Sequence, residues 1–446
     1  MTSSTAAPRQ QRMSREDRKV VAGTMVGTTI EWYDFFIFAQ AAGLVFAQLY
    51  FAPLNEDSPG LAQLVSWATI GISFFFRPLG AVVAGHLGDR IGRKAMLVFT
   101  LVMMGSATAL IGLLPTYAQI GVAAPILLML LRILQGFSAG GEWGGAALMA
   151  VEHAPVHKRG FWGAYPQIGV PVGMIIATLV LFLLRSSMSQ EDFLAWGWRV
   201  PFLLSVVLIV VGYFIRKAVA ESPVFKEMTE RKQESSVPLK ELFRHNTKQV
   251  VLTAAIFIAN NAAGYLLIAF FSAYAQRTLG MPGGPVLFAT LLASFGWLIF
   301  TMYGGILSDR IGRVRTFQIG YGLVFVWMIP LFLMIDTRNI LAYGVALFVL
   351  TIGLGLSYGP MSAMYAEMFP ANVRYSGIGI GYALGAILGG AFAPLIAEAL
   401  LRGTGSSISI GVYIMVLCAI SFAAVTMVKE TRGVPLHVGS GHTQAK

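Results

Sequence analysis

One stretch of this chain, Gly85-His-Leu-Gly-Asp89-Arg90-Ile-Gly92-Arg93-Lys94, recurs 220 residues later as Gly305-Ile-Leu-Ser-Asp309-Arg310-Ile-Gly312-Arg313-Val-Arg315. Two further patterns recur at nearly the same offset. Glu152 and Arg159 are matched 215 residues later by Glu367 and Arg374, and Gly169 and Gly173 are matched 216 residues later by Gly385 and Gly389. Three matches at a nearly constant offset indicate a parallel internal repeat. We therefore predict two halves of similar structure.

The segments around these repeated stretches are apolar. Of the 446 residues, 56% are apolar and 12% are charged, whereas soluble proteins carry about 25% charged residues. A helix that crosses ~30 Å of hydrocarbon needs about 20 mostly apolar residues. Twelve such runs predict an all-α integral membrane protein with twelve transmembrane helices in two six-helix bundles. They lie at 21–50, 61–87, 95–115, 120–150, 160–184, 199–216, 248–276, 284–307, 316–335, 340–366, 375–401 and 408–428.

The longest polar stretch, 217–247, separates the first six runs from the last six. It is rich in Lys, Glu, Arg, Gln and Ser, and we interpret it as a cytoplasmic linker that is helical in part around Glu221–Lys232. The predicted organisation is a tail at 1–20, a bundle at 21–216, the linker, a bundle at 248–428 and a tail at 429–446.

The distribution of basic residues predicts the orientation of the chain. If residues 1–20 are cytoplasmic, 25 of the 32 Lys and Arg residues fall on the cytoplasmic side. The positive-inside rule then places both termini in the cytoplasm. This asymmetry explains the net charge of +11, so nucleic-acid binding is not expected. The remaining basic residues are external, at Arg185, Arg199, Arg277, Arg338 and Arg402, or intramembrane, at Arg77 and Arg132.

Ionisable residues at membrane depth cost roughly 2.5–3.5 kcal/mol on insertion scales and usually face a cavity or a partner. From the rise of an α-helix, we expect Arg77 ~18 Å, Asp34 ~21 Å and Arg132 ~30 Å from the cytoplasmic face. Asp34 and Arg132 are thus expected to share the outer half of one cavity.

Polar residues also share faces of the predicted helices. Glu31 and Asp34 are three residues apart and therefore lie on the same side of the first helix. In the fourth helix, Gln135, Ser138 and Glu142 lie within about 120° of Arg132. The repeated use of one face favours a polar cavity, and the alternative is a set of static salt bridges between helices.

Carboxylates in such a cavity are suited to binding a proton. Asp34 is the first candidate, since it would take up a proton when substrate or closure separates it from Arg132. Glu142 is the competing proton site, and Glu31 is the third.

The same cavity is the predicted substrate site. Guanidinium groups bind carboxylates through two parallel hydrogen bonds, which assigns Arg77 and Arg132 to an anionic substrate. The second half has no comparable buried charge but carries amides and tyrosines, for which simple packing is the alternative. A small hydroxylated or aromatic carboxylate would suit this combination. The predicted substrate-binding residues are Tyr33, Arg77, Arg132, Gln135, Asn260, Asn261, Tyr265, Tyr358 and Tyr382.

The repeated stretch resembles the most specific signature of the major facilitator superfamily, and this resemblance covers nearly the whole chain. Further segments resemble the metabolite:proton symporter family, and the run around Glu142 is closer to its shikimate-type members than to its osmolyte carriers. These segments are Glu31-Trp-Tyr-Asp34-Phe, Arg77-Pro-Leu-Gly, Arg132-Ile-Leu-Gln135-Gly-Phe-Ser-Ala-Gly-Gly-Glu142-Trp and Trp196-Gly-Trp-Arg199-Val-Pro-Phe.

The resemblance implies a monomeric secondary transporter of the bacterial inner membrane. Its expected activity is proton-coupled uptake, by alternating access, of a small organic anion such as shikimate or a dicarboxylate. Sugar:proton members of the superfamily couple through an aspartate of the first helix and an arginine of the fourth, which strengthens the assignment of Asp34 and Arg132. The alternatives are a proton-coupled carrier of osmolytes such as proline or betaine, and an exporter.

In the superfamily, loops of this kind form ion pairs that close the cytoplasmic side when the site faces outward. The resemblance therefore implies a cytoplasmic gate, and the alternative is that these charges only determine topology. The gate residues are Asp89, Arg90, Arg93, Glu152, Arg159, Asp309, Arg310, Arg313, Glu367 and Arg374.

Enzymatic, cofactor and metal sites are not expected, and the proton is the only coupling ion implied. The single cysteine, Cys418, excludes an intrachain disulfide and a cysteine metal site. His153 and His157 flank Pro155, which disrupts the helical spacing of a metal pair. A nucleophile with an adjacent base is not apparent in the sequence.

Overall fold

A computed structural model describes residues 14–58, 60–91, 93–218, 238–370, 373–434 and 436. The description covers the backbone alone at residues 15–17, 20, 57, 81–91, 93–98, 141–142, 215–218, 238–241 and 375. Most of the predicted linker, including Glu221–Lys232, lies outside the described residues. The same is true of the side chains of Asp89, Arg90, Arg93 and Glu142.

The described residues form twelve long helices, labelled α1–α12 in chain order. Five of these helices change geometry or break along their length, and their parts are given together. The helices are α1 (Arg15–Ala41, Ala42–Phe46 and Ala47–Leu49), α2 (Leu61–Ile91), α3 (Arg93–Leu113), α4 (Ala123–Ser138, Ala139–Gly141 and Glu142–Glu152), α5 (Arg159–Ser187), α6 (Val200–Ala218), α7 (Thr247–Tyr265, Leu266–Phe270, Phe271–Ala273 and Tyr274–Thr278), α8 (Gly283–Ile311), α9 (Arg313–Ile335), α10 (Ile340–Tyr358 and Met361–Met368), α11 (Arg374–Gly389 and Ala393–Thr404) and α12 (Ile408–Thr426).

These helices agree with the twelve predicted runs. Among the described residues, ten helices are long and apolar enough to cross a membrane, and α3 adds the shorter apolar segment Phe99–Leu113. Lipid offers no hydrogen bonds to a bare backbone, so an apolar run that crosses it must pair its amides within a helix. The predicted continuous runs did not show the breaks in α10 and α11. Pro360 explains the first break, since proline lacks an amide proton to donate.

The helices pack as two six-helix halves that repeat one another. Within the first half, α1 packs on α5, α2 on α4, and α3 on α6. The second half repeats this arrangement, since α7 packs on α11, α8 on α10, and α9 on α12. The halves meet where α5 packs on α8 and α2 on α11. A Cβ at Gly160 would lie 2.4 Å from the Gly305 carbonyl oxygen, so only glycine permits α5 and α8 to approach this closely.

The first helix of each half changes to π-helical geometry at one end, over Ala42–Phe46 in α1 and over Leu266–Phe270 and Tyr274–Thr278 in α7. The two altered ends touch, because a Cβ at Gly43 would lie 3.3 Å from the Ala269 carbonyl oxygen. Single π-helical turns are frequent at functional sites. We call this end of the molecule the opposite face, and the end that carries the repeated stretches the motif face.

Candidate substrate and proton site

A small cavity lies between the two halves. Its walls come from α1 and α5 of the first half and from α7, α8 and α10 of the second. Aromatic rings dominate the lining, and two asparagine amides and a tyrosine hydroxyl contribute polar atoms. The lining residues are Trp32, Val170, Phe257, Asn260, Asn261, Gly264, Tyr265, Ile268, Trp297 and Tyr358.

Two arginines of the first half are buried beside this cavity and share one aromatic ring. The Cζ atoms of Arg77 and Arg132 lie 4.3 Å and 4.7 Å from the ring centroid of Phe35. Arg77 also lies 5.6 Å from the ring centroid of Trp32, a residue of the cavity wall. Both side chains are almost fully buried, at 5% and 0% exposure. The aromatic faces offset part of the cost of burying these cations.

The hydrogen-bonding capacity of these guanidinium groups is only partly used. Within the described part of the chain, the Nε and Nη2 atoms of both Arg77 and Arg132 are buried without an acceptor, and neither group forms an ion pair there. A buried charge without a partner is costly, so an anion that reaches these atoms would be strongly favoured. The Tyr265 hydroxyl likewise lacks a hydrogen-bond partner among the described residues.

A chain of hydrogen bonds runs from Arg132 of α4 to Asp34 of α1 through Gln135 of α4 and Thr108 of α3. Arg132 Nη1 donates to Gln135 Oε1 at 3.0 Å, and Gln135 Nε2 donates to Thr108 Oγ1 at 2.7 Å. Thr108 Oγ1 in turn donates to Asp34 Oδ2 at 3.0 Å. Ser205 Oγ donates to the other carboxylate oxygen, Oδ1, at 2.6 Å. Asp34 and Arg132 are therefore connected through side chains of α3 and α4 rather than by a direct ion pair.

The donor-to-acceptor direction of these hydrogen bonds matches an ionised Asp34. Both carboxylate oxygens accept hydrogen bonds, and an ionised carboxylate offers acceptors only. A protonated carboxyl must donate one bond, so Thr108 or Ser205 would have to turn and accept it. Proton binding at Asp34 therefore requires a rearrangement of the same chain that holds Arg132.

The other predicted site residues are divided between the cavity and the helix packing. Asn261, Tyr265 and Tyr358 line the cavity. Asn260 also lines it, but its Nδ2 already donates to Leu354 O at 2.9 Å. Tyr33 is not part of the lining, because its hydroxyl donates to Pro201 O at 2.7 Å within the first half.

Two residues remain from the predicted proton sites: Glu31 is buried in α1, and the side chain of Glu142 lies outside the described residues.

An aromatic stack closes the cavity toward the motif face. The ring of Trp143 in the first half stacks on that of Tyr382 in the second, with centroids 3.7 Å apart. Tyr382 also stacks on Phe257 at 4.4 Å. Gln167 supports the stack, since it accepts a hydrogen bond from Trp143 Nε1 at 2.9 Å and donates one to Tyr358 O at 3.2 Å. Trp143 thus joins the two halves on the motif-face side of the cavity.

The seal toward the opposite face is made of small and aromatic residues. The π-helical segments of α1 and α7 touch at Gly43, and a Cβ there would lie 2.5 Å from Trp67 and 3.1 Å from the Cβ of Ala273. The ring of Trp67 lies 6.5 Å from that of Phe270. The cavity is therefore closed on both sides, and this structure is an occluded state.

The motif face joins the two halves by ion pairs that cross between corresponding positions. Glu152 pairs with Arg374 at 3.3 Å, and Arg159 pairs with Glu367 at 3.8 Å. Asp309 accepts hydrogen bonds at 2.8 Å from two amides in the first turn of α5, those of residues 160 and 161. A carboxylate at a helix N-terminus is favoured by the helix dipole. Arg310 is exposed.

Arg313 anchors Glu367 from within the second half. Its Nε atom lies 3.2 Å from Glu367 Oε2, and its Nη1 atom lies 2.7 Å from Asp309 Oδ1. Arg313 and Glu367 are both buried. The residues of the predicted gate that the structure describes with side chains, apart from Arg310, therefore form a network of two groups, one of Glu152 with Arg374 and one of Arg159, Asp309, Arg313 and Glu367.

The segment after α12 completes this network, and the sequence analysis did not predict it. Glu430 Oε1 accepts from Arg313 N at 2.9 Å, and Thr431 Oγ1 donates to Glu367 Oε2 at 3.0 Å. Backbone carbonyls further along bind arginines of both halves, with Val434 O accepting from Arg159 at 2.6 Å and Leu436 O accepting from Arg374 at 3.2 Å. The segment 430–436 lies across the junction of the two halves.

Sequence reasoning also missed several residues of the central site. Thr108 and Ser205 carry no pattern that distinguishes them from other hydroxyl residues in apolar runs. Phe35 and Trp143 had a weak signal, since each directly follows an acidic residue of a quoted segment.

Comparison with known proteins agrees with this architecture. A family model described as Major Facilitator Superfamily matches residues 24–394. The inner membrane metabolite transport protein YhjE of Escherichia coli (strain K12) is 39% identical over 420 residues, which cover 93% of this chain and 94% of that protein. The shikimate transporter of the same organism is 35% identical over 428 residues, which cover 93% and 95% of the two chains.

Solved structures show the same fold at lower sequence identity. The proton:xylose symporter XylE bound to 6-bromo-6-deoxy-D-glucose is similar with a TM-score of 0.76 and 17% identity, over 95% of this chain and 98% of that chain. The family model and the two relatives each span most or nearly all of the sequence. The chain therefore belongs to the Major Facilitator Superfamily, and it is a membrane transporter of small molecules rather than an enzyme.

Proposed function

We propose that this transporter is a symporter that couples proton entry to the uptake of a small organic anion, with the motif face in the cytoplasm of a bacterial inner membrane. The observation that carries the proposal is the pair of buried guanidinium groups of Arg77 and Arg132, whose Nε and Nη2 atoms lack an acceptor among the described residues. Arg77 lies 5.6 Å from the ring of Trp32 in the cavity wall. The distribution of Lys and Arg supports the orientation.

The chemistry of the cavity favours a carboxylate with further polar groups. Two guanidinium groups on one side supply N–H donors for the carboxylate. The other half supplies the Asn261 amide, whose Oδ1 lacks a partner in the described part of the chain, and the Tyr265 hydroxyl. These neutral groups suit hydroxyls on the substrate. The similarity to a shikimate transporter supports this class.

Coupling would act through the hydrogen-bonded chain from Arg132 to Asp34. A substrate carboxylate that binds the Nε and Nη2 atoms of Arg132, which lack acceptors among the described residues, would draw the guanidinium away from Gln135. Release of Gln135 frees Thr108 from its present donor and allows its hydroxyl to turn. A protonated Asp34 can then donate its O–H hydrogen bond to Thr108. Anion binding and proton binding therefore favour one another, because both use the same rearrangement.

Alternating access would begin from the occluded state. The motif-face seal contains the aromatic stack, the crossed ion pairs and the segment 430–436, whereas the opposite-face seal contains Gly43, Trp67 and few polar contacts. Opening toward the opposite face breaks fewer interactions, so the occluded state lies closer to an outward-open state. Individually modest ion pairs are sufficient to bias two states that differ by a few kcal/mol.

The decisive experiment replaces Asp34 by asparagine and measures transport of shikimate in proteoliposomes. Asp34→Asn keeps the hydrogen-bond acceptor but cannot exchange a proton. It should retain counterflow of substrate and lose accumulation driven by a pH gradient. Glu31→Gln is the matched variant for the other described carboxylate of α1, and Asp192→Asn on the exposed surface is the control. Normal accumulation in Asp34→Asn would refute this coupling site.

A second candidate function is the uptake of a zwitterion such as betaine. The aromatic lining favours it, because Trp32, Trp297 and Tyr358 offer ring faces of the kind that bind quaternary ammonium groups. Competition of shikimate, succinate and betaine for one uptake process separates the two candidates. Inhibition by betaine alone would support the zwitterion carrier and contradict the anion carrier.

A further inference from the structure

We propose that the opposite face contains a second carboxylate-binding site, formed by Arg185 of the first half and Arg277 of the second. This site would hold an organic anion outside the closed seal, before the anion reaches the central cavity. The inference rests on the proposed orientation and on anion transport, and it goes beyond them by assigning a binding role to residues remote from the central site.

The site is an open cavity at the junction of the halves. The first half contributes the end of α1, the end of α5 and the short helix Gln190–Ala195, and the second half contributes the end of α7 and the start of α8. Three glutamine amides and two guanidinium groups provide its polar surface. The lining residues are Leu44, Gln48, Arg185, Gln190, Phe193, Gln276, Arg277, Met281 and Gly283.

Both guanidinium groups have N–H donors that the described residues do not use. Arg185 Nη2 donates to Gln276 Oε1 at 3.4 Å, and Arg277 Nη1 donates to Gly43 O at 3.3 Å. Both bonds are long, and each uses one of the five N–H groups of an arginine. Within the described residues neither arginine forms an ion pair, and the lining contains no acidic side chain. The Gln276 Nε2 atom is buried without an acceptor, which adds a neutral donor.

Gly283 leaves space for the side chains of Arg185 and Gln276. A Cβ at Gly283 would lie 2.6 Å from Arg185 Nη2 and 2.7 Å from Gln276 Oε1. Any side chain at this position would push both groups away from their present places. Phe193 supports Arg185 from the other side, with its ring centroid 4.9 Å from the guanidinium carbon. The guanidinium is thus held between an aromatic ring and a position without a side chain.

The cavity lies directly outside the seal of the central site. Leu44 of its lining follows Gly43, the residue at which the π-helical segments of α1 and α7 touch. Arg277 belongs to the second π-helical segment of α7, Tyr274–Thr278. An anion bound here would therefore be next to the seal when the halves separate. Two positive charges at a mouth also raise the local concentration of anions.

The test places a fluorescent reporter at the lip of this cavity. Gln190→Cys, in a Cys418→Ser background, is labelled with an environment-sensitive dye in purified protein, and shikimate is the titrated probe. We expect a saturable signal that Arg185→Gln and Arg277→Gln each weaken by about tenfold or more, since each removes a charged hydrogen bond. High salt should weaken it, and betaine, without net charge, should give no signal. Arg338→Gln, an exposed arginine outside the cavity, is the matched control.

Two further variants keep the inference falsifiable. Gly283→Ala retains both arginines but displaces Arg185, and it should also weaken the signal while the unfolding temperature confirms a folded protein. Arg132→Gln disrupts the central site and should leave the signal unchanged. Loss of the signal in Arg132→Gln, or equal signals in wild type and all three mouth variants, would overturn the second site. Normal accumulation by Asp34→Asn would refute the coupling proposal but would leave this titration unaffected. The two proposals therefore fail separately.

Discussion

At the scale of single residues, the central site depends on how two buried cations are stabilised. Arg77 and Arg132 face one ring, that of Phe35, and Arg132 also lies 4.0 Å from the ring centroid of Phe38. Aromatic faces attract cations without neutralising them. The charges therefore remain available to a ligand, which a salt bridge would prevent.

Replacing Arg132 by lysine tests this arrangement. Lysine keeps the charge but loses the planar fork and the stacking on Phe35 and Phe38, so the affinity for shikimate should fall about tenfold or more. Equilibrium binding to purified protein measures it, with exposed Arg338→Lys as the control. An unchanged affinity in Arg132→Lys together with a loss in Arg77→Lys would assign the anion to Arg77.

Thr108 provides a second test at this scale. Thr108→Val has nearly the same shape but removes the hydroxyl between Gln135 and Asp34, whereas Thr108→Ser retains it. The valine variant leaves two buried polar groups without a partner, at about 1–3 kcal/mol each. We expect it to transport by counterflow but to accumulate substrate poorly under a pH gradient, while the serine variant resembles wild type. Equal accumulation by both variants would contradict coupling through this chain.

At the scale of helices, the π-helical ends of α1 and α7 determine how closely the halves approach on the opposite face. Gly43 lies between Trp67 and the backbone of α7, with no space for a side chain. The seal is therefore formed by two segments whose hydrogen bonding already departs from the α-helix.

Gly43→Leu should hold this seal open. The added side chain would overlap Trp67 and Ala273, so the halves cannot close on the opposite face. Counterflow should be lost, while shikimate binding from the opposite face is retained within about threefold, less than the loss of one hydrogen bond would cause. Gly322→Leu is the control, since a Cβ at Gly322 meets nothing within 4 Å. Normal counterflow in Gly43→Leu would refute a role of this contact in gating.

At the scale of the whole molecule, the motif face joins the halves by contacts that the central cavity alone does not require. The crossed pairs Glu152–Arg374 and Arg159–Glu367 connect corresponding positions of the repeat. The segment 430–436 binds arginines of both halves at once. Opening on this face must break all of these contacts together, which makes the motif-face seal cooperative.

Truncation after Val428 tests the contribution of that segment. It removes Glu430, Thr431 and the backbone acceptors of Arg159 and Arg374, so the motif face should open more often. Asn261→Cys in a Cys418→Ser background reports this as several-fold faster labelling by a membrane-impermeant thiol reagent added from the motif face, the effect expected from losing about 1 kcal/mol. Truncation after Leu436 keeps these contacts and is the control. Equal labelling rates in the two truncated proteins would contradict the prediction.

The fold was predictable from the sequence to a large extent. The twelve apolar runs, the repeat and the resemblance to the major facilitator superfamily were all confirmed, because crossing a bilayer imposes a length and a helical backbone on each segment separately. The candidate gate residues were also identifiable, since glutamate and arginine recur at a constant offset. Which glutamate pairs with which arginine could not be predicted from the sequence, because each pair joins residues of different halves.

The central site shows the same division between local and tertiary information. The sequence by itself predicted that Asp34, Arg77 and Arg132 belong to apolar helices long enough to cross a membrane, since this follows from each helix segment separately. Only the tertiary structure decided that Asp34 is bound by Thr108 and Ser205 and connected indirectly to Arg132, and that Phe35 lies between two cations. These partners come from helices whose relative rotation and crossing depend on the packing of the whole bundle, and no periodicity within a single segment carries that information.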